Sequence, residues 1–136
     1  MPNAQPMLEN HPIGPGIDAR LLAECIERCF DCAQVCTACA DACLGESKVD
    51  SLVRCIRLNL DCADVCLTTG KLLSRLTGPN PKLIPVQLQV CAAACRLCGE
   101  ECAMHALHHE HCRICAEVCR ACEESCNQVL SAFKQV

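Results

Sequence analysis

CIERCFDCAQVCTACADAC, residues 25–43, decides the fold. Its six cysteines, Cys25, Cys29, Cys32, Cys36, Cys39 and Cys43, are separated by alternating gaps of four and three. That spacing keeps residues on one face of an α-helix. At a rise of about 1.5 Å per residue the sulfur stripe is roughly 27 Å long, with successive Cβ atoms about 5–6 Å apart. Two metal–sulfur bonds of about 2.3 Å span nearly the same gap, so a soft metal ion fits between neighbours. The stripe reads as one wall of a metal-lined tube.

The same rhythm recurs along the chain. The first helix is expected over about residues 17–44, ending at Gly45. A second, over about 48–76, is introduced by the capping-box-like pair Ser47 and Asp50 and carries Cys55, Cys62 and Cys66, with Asn59 where the rhythm calls for another cysteine. Gly78-Pro79-Asn80-Pro81 cannot continue a helix, and Pro85 suits the first turn of the next. That third helix, about 84–107, presents Cys91, Cys95, Cys98 and Cys102; the fourth, about 110–134, presents Cys112, Cys115, Cys119, Cys122 and Cys126. Four helices with one inward stripe each and short connections specify an all-α fold, an antiparallel up-down-up-down four-helix bundle with a cysteine-lined core. Residues 17–136 form this bundle, and residues 1–16, rich in Pro and Gly, are expected to be a flexible N-terminal tail.

Composition narrows the function. The chain has 18 cysteines in 136 residues, no Trp or Tyr and only two Phe, so cysteine stands where Leu and aromatic residues usually build a core. The net charge of −4, with acids and bases interspersed, gives no footprint for nucleic acid. The N-terminus lacks the basic-then-apolar order of a secretory signal, and no stretch approaches a membrane span of about 18 apolar residues. The expected location is the cytosol. Dense cysteine there points to metal or redox chemistry rather than to a disulfide framework.

Alternating helix direction gives the two ends of the tube different characters. One end gathers Cys43, Cys55, Asn59, His105, His108, His109, His111 and Cys112; the other gathers Leu22, Leu73, Ile84, Leu88, Val129 and Phe133. The first is a mouth and the second a plug. Four of the five histidines fall within seven residues beside the cysteine core, which points to metal capture at the mouth.

The five C-x-x-C pairs lack the strand-then-helix setting of thioredoxin-like redox motifs, and structural zinc or iron–sulfur sites isolate their ligands in sets. Unbroken spacing suits an unbroken chain of ions. Thiolate selects Cu(I) and also suits zinc. Buried thiolates must be neutralised by metal or stay protonated, and a monovalent ion bridging two sulfurs balances charge nearly one to one. If each cysteine bridges two ions, capacity is on the order of 18 Cu(I) per chain.

With these stripes and the histidine-rich turn before the fourth helix, residues 17–134 resemble the cytosolic copper storage proteins. The resemblance implies a bundle that is usually a homotetramer and holds many Cu(I) ions inside each protomer, with metal entering at the histidine end. It implies that all 18 cysteines are core ligands and that Asn59, His105, His108, His109 and His111 are accessory ones. The second helix is a sparser wall than the others. Copper ions are the expected partners, supplied by a copper chaperone or a small thiol donor, and no enzyme site is expected. The alternatives are a zinc or mixed soft-metal thiolate buffer, a thiol redox protein, and a helical scaffold with inert cysteines.

Overall fold

The computed structural model describes residues 3–134 and contains α1 (Ala4–Glu9), α2 (Ala19–Leu44), a short 3-10 helix (Val49–Leu52), α3 (Val53–Leu73), α4 (Leu83–His105) and α5 (Glu110–Lys134). Met1, Pro2, Gln135 and Val136, which the expected tail and bundle also include, lie outside the described residues. The four long helices form an all-helical bundle. α2 packs on α3 and α5, and α4 packs on the same two, so each helix has two antiparallel neighbours and one helix across the axis. Cys25 facing Cys126 and Cys39 facing Cys112 fix the opposed directions of α2 and α5; Cys66 facing Cys91 and Cys55 facing Cys102 do the same for α3 and α4.

Local chemistry sets the helix ends. The Asp18 carboxylate accepts the Arg20 amide at 2.9 Å and starts α2. α2 stops at Gly45, whose amide turns back to the Asp41 and Ala42 carbonyls; Gly45 keeps a right-handed φ of −86°, so the stop does not use the left-handed freedom of glycine. The second long helix is shorter than its sequence suggests. Its first turn is wound as 3-10, with the Ser51 amide and hydroxyl both donating to the Lys48 carbonyl, and no cap forms from Ser47 and Asp50. At its far end the Ser74 hydroxyl donates to the Gly70 carbonyl, and the helix ends at Leu73. α4 starts beside Asn80, whose side-chain oxygen accepts the Lys82 and Leu83 amides at 2.9 and 3.1 Å, with Pro85 in the first turn.

The N-terminal segment departs from a wholly flexible tail. Residues 4–9 are helical, Leu8 is buried, and α1 lies on α2. The cause is tertiary: Met7, Leu8 and His11 share a cleft with Ile26, Phe30 and Ser74, so the segment covers apolar surface that α2 and α3 leave open. Phe30 in turn packs closely on Gly70, where an added Cβ would come within 2.9 Å of the tip of the ring. Beside the cysteine stripe of α2, Ile26, Ala33 and Ala40 are all buried within one chain. The matching face of α3 is left outside, with Leu60 and Leu67 exposed.

Candidate metal centre

Every cysteine is free and buried. Because all four stripes point at the axis, the sulfurs meet across helices as well as along them. Cys36 Sγ lies 3.6–3.9 Å from Cys119, Cys115 and Cys98, and Cys32 Sγ lies 3.7–3.9 Å from Cys36, Cys119 and Cys62. Further toward the plug, Cys66 meets Cys95 at 3.5 Å and Cys91 at 3.8 Å, Cys62 meets Cys95 at 3.8 Å, and Cys29 meets Cys122 at 3.8 Å. Two metal–sulfur bonds of about 2.3 Å bridge separations of this size with a bent sulfur–metal–sulfur angle.

The sulfurs group in fours, and the groups share members. Cys29, Cys91, Cys122 and Cys126 share Cys122 with Cys32, Cys66, Cys95 and Cys122; that group shares Cys32 with Cys32, Cys36, Cys62 and Cys119; and that one shares Cys36 and Cys119 with Cys36, Cys98, Cys115 and Cys119. None of these four groups is isolated from the next. The chain of sites therefore offers a bridged array rather than separate cages.

Asn59 stands among the sulfurs of this wall, fully buried. Its Oδ1 accepts from the thiols of Cys98, Cys102 and Cys115 at 3.0, 3.3 and 3.3 Å, and its Nδ2 points at Cys55 Sγ at 3.8 Å. It ties three helices together and links the interior sulfurs to those nearer the mouth.

At the mouth the four histidines separate. His111 reaches the sulfurs, its Nδ1 lying 3.3 Å from Cys39 Sγ and 3.6 Å from Cys112 Sγ. Its Nε2–H donates to Glu46 Oε2 at 2.9 Å, an oxygen that also accepts from His109 Nδ1 at 2.9 Å, and the two imidazoles stack with centroids 5.4 Å apart. His105 pairs with Glu101 at 2.9 Å, and Arg54 holds the other oxygen of Glu101 at 3.4 Å. His108 is exposed and, with His105, His109, Lys48 and Ser51, lines a vestibule outside the sulfurs. The fifth histidine, His11, lies away from the mouth, hydrogen-bonded to Ile13 and Thr77.

The electrostatics follow burial and S–H bonding. Burial, reinforced by Cys55, pushes the Cys43 thiol up to about 11, and burial likewise raises Cys112. Inside, thiols that donate are held protonated and thiols that accept are pushed the other way: Cys36 is raised by its bonds to Cys115 and Cys119, Cys62 lowered by those from Cys119 and Cys32. The sulfurs thus form a hydrogen-bonded network in which donor and acceptor thiols are shifted in opposite directions. Glu46 is held below the usual carboxylate range by the His111 N–H bond.

The opposite end is closed. Leu22, Leu73, Ile84, Leu88 and Val129 are buried there as expected, joined by Leu76 from the α3–α4 connection, while Phe133 is only partly covered. The sequence reading did not include Glu46 and Glu101. Glu101 precedes His105 by one helical turn and could have been found on spacing; Glu46 meets His111 only through the topology.

This geometry defines a class of protein: a buried polythiol container for soft metal ions, open at one end, inside an antiparallel four-helix bundle. The sequence profile of the Csp copper storage proteins matches residues 18–131, and the chain belongs to that family. Its cargo is copper. Among solved structures, a Streptomyces lividans copper storage protein loaded with 10 copper equivalents is similar to it at a TM-score of 0.93 and 50% identity, over 95% of this chain and 98% of that one. A cytosolic copper storage protein from the same organism, described with five coppers, matches at a TM-score of 0.81 and 54% identity, over 82% of this chain and 93% of that one. The uncharacterized cysteine-rich protein YhjQ of Bacillus subtilis (strain 168) is 40% identical over 89 residues, 65% of this chain and 77% of that protein.

Proposed function

We propose that this chain is a cytosolic Cu(I) store and buffer rather than a catalyst, in which all 18 cysteines are ligands, Asn59 is an accessory ligand, and copper passes the mouth histidines on its way in and out. The observation that carries this reading is the unbroken series of four-sulfur groups with shared members, which suits bridging monovalent ions and has no natural stopping point. The cytosolic setting is supported by the Streptomyces lividans relative described as cytosolic, and no helix among the described residues is long and apolar enough to cross a membrane. Of the mouth histidines, His111 is the nearest to a ligand position, while His105, His108 and His109 border the vestibule where an incoming ion first meets the protein.

The same reading extends to assembly and supply. Val53, Leu60 and Leu67 on α3 and Val86, Val90 and Leu97 on α4 leave an apolar outer face, which supports a homo-oligomer, a tetramer by family resemblance. A copper chaperone or small thiol is the natural donor, because thiolate-to-thiolate exchange keeps Cu(I) bound throughout. Residues 1–16 are the ancillary N-terminal segment and residues 17–136 the storage domain.

Anaerobic Cu(I) titration against a competing chelator, counting ions per chain, tests the proposal. The expected saturation is well above about ten ions, with helix content unchanged. Saturation near about four ions would exclude a bridged array.

A further inference from the structure

We propose that Cys39, Cys43, Cys112 and His111 form a site for one Zn(II) in the copper-free protein, a lid across the mouth that Cu(I) must displace. The ligand atoms of these four residues lie within 4.8 Å of one another. Tetrahedral zinc with Zn–S of about 2.3 Å and Zn–N of about 2.0–2.1 Å needs S···S edges of about 3.8 Å and S···N edges of about 3.6 Å. The structure has Cys39 to Cys112 at 3.9 Å, Cys112 Sγ to His111 Nδ1 at 3.6 Å and Cys39 Sγ to His111 Nδ1 at 3.3 Å. An ion placed among them requires little movement.

Two features separate this site from the interior groups. His111 gives its Nε2–H to Glu46, so its Nδ1 lone pair is free and aimed at the sulfurs, the carboxylate–histidine arrangement that orients imidazole on zinc. The donor set also suits a divalent ion: three thiolates and a neutral imidazole leave one negative charge, at a partly exposed position. The interior groups are all sulfur, so one divalent ion there leaves two negative charges in a wall whose only side-chain amide is that of Asn59. Divalent binding should therefore be confined to the mouth and limited to one ion. On binding, each of the three thiols gives its proton to solvent; when Cu(I) arrives it takes over the thiolates and zinc leaves as the free ion, with no change of oxidation state.

This inference is independent of the copper capacity argued above, since a store without a lid would fail only the zinc measurements. Anaerobic titration of the copper-free chain with Co(II) as the spectroscopic stand-in, followed by Zn(II) competition, should give one ion per chain with the intense visible bands of tetrahedral cobalt and thiolate charge transfer. His111→Ala, at a half-buried position that carries no core packing, and Cys43→Ser should each alter or abolish that spectrum. Glu46→Gln should keep the stoichiometry while weakening affinity about 10- to 100-fold. Cys36→Ser/Cys98→Ser, an interior control, should leave it intact. Adding Cu(I) to the zinc-loaded chain should release one zinc to a metal indicator during the first additions. Absence of a tetrahedral spectrum, a spectrum unchanged in His111→Ala, uptake of several divalent ions, or retention of zinc as copper loads would each overturn the proposal.

Discussion

The two ends of the bundle occupy the same four helices and the same inward positions, yet they do opposite work. At one end Leu22, Leu88 and Val129 fill the axis, with the buried Thr69 hydroxyl held by the Gln87 amide; at the other Cys39, Cys43 and Cys112 face His111, with carboxylates behind the imidazoles. Between them, sulfur is small enough to pack and soft enough to bind. The difference teaches that fold stability and cargo capacity are distributed separately along one axis. A bundle whose core is its cargo site needs part of its length committed to packing alone, because the sulfurs must tolerate being both empty and full.

Loading offers the largest test of that separation. An ion at 100 times its dissociation constant adds about 2.7 kcal/mol, so five such ions add about 13 kcal/mol, as much as the whole stability of an ordinary domain. Thermal unfolding followed by circular dichroism should move up by tens of degrees on loading, while the copper-free chain remains helical at room temperature. Copper-free protein without helix would mean that the plug does not hold the fold.

Next in size is the plug itself. Leu88 is fully buried, and Leu88→Ala should cost the copper-free protein about 2–5 kcal/mol in denaturant unfolding. Copper capacity should stay the same. A fall in capacity that matches the fall in stability would show that the two ends are not independent.

The mouth should answer in rate rather than in stability. Replacing His105, His108, His109 and His111 together should slow both loading and chelator-driven removal by about tenfold, equivalent to about 1.4 kcal/mol in the barrier, and change capacity by only a few ions. His111→Ala alone should account for most of that change, since only His111 touches sulfur among the four. The pH dependence has a definite sign. With Cys43 pushed up to about 11 and Cys112 also raised, these thiols are protonated near neutrality, and raising pH converts them to the metal-binding thiolate. Loading should accelerate as pH rises from about 6 toward about 9, as the raised thiols begin to give up their protons. Stopped-flow absorbance of the copper–thiolate bands measures both effects; a rate independent of pH and of the histidines would make the mouth a solvated turn.

The smallest effect lies near the plug. Asp18→Ala removes the cap of α2 and should cost about 0.5–2 kcal/mol in denaturant unfolding, with no change in loading rate or capacity. A loading defect there would couple the closed end to the mouth.

The bundle and its sulfur wall were legible in the sequence because four-three spacing has one geometric meaning, and cysteine at those positions leaves no apolar alternative to blur it. Other features depended on contacts between distant segments. α1 has only Met7 and Leu8 as sizeable apolar residues, so its helix registers only once Phe30 and Ile26 are in place beneath it. The 3-10 turn at Val49–Leu52 replaced a capping motif that matched by residue type but not by backbone course. The histidine cluster was visible as composition, whereas the singling out of His111 depends on where the chain turns between α4 and α5, and Glu46 reaches it from 65 residues away.

A tube plugged at one end is a stack rather than a corridor. Beyond Cys25 and Cys126 the buried Leu22 and Val129 fill the axis, so ions lodged there are expected to leave only after those nearer His111 have gone. Such a store should hand back its newest copper first and keep its oldest as a slow reserve, so that depth would record the age of the metal. Filling with one copper isotope and topping up with another would read that order directly in the first ions withdrawn.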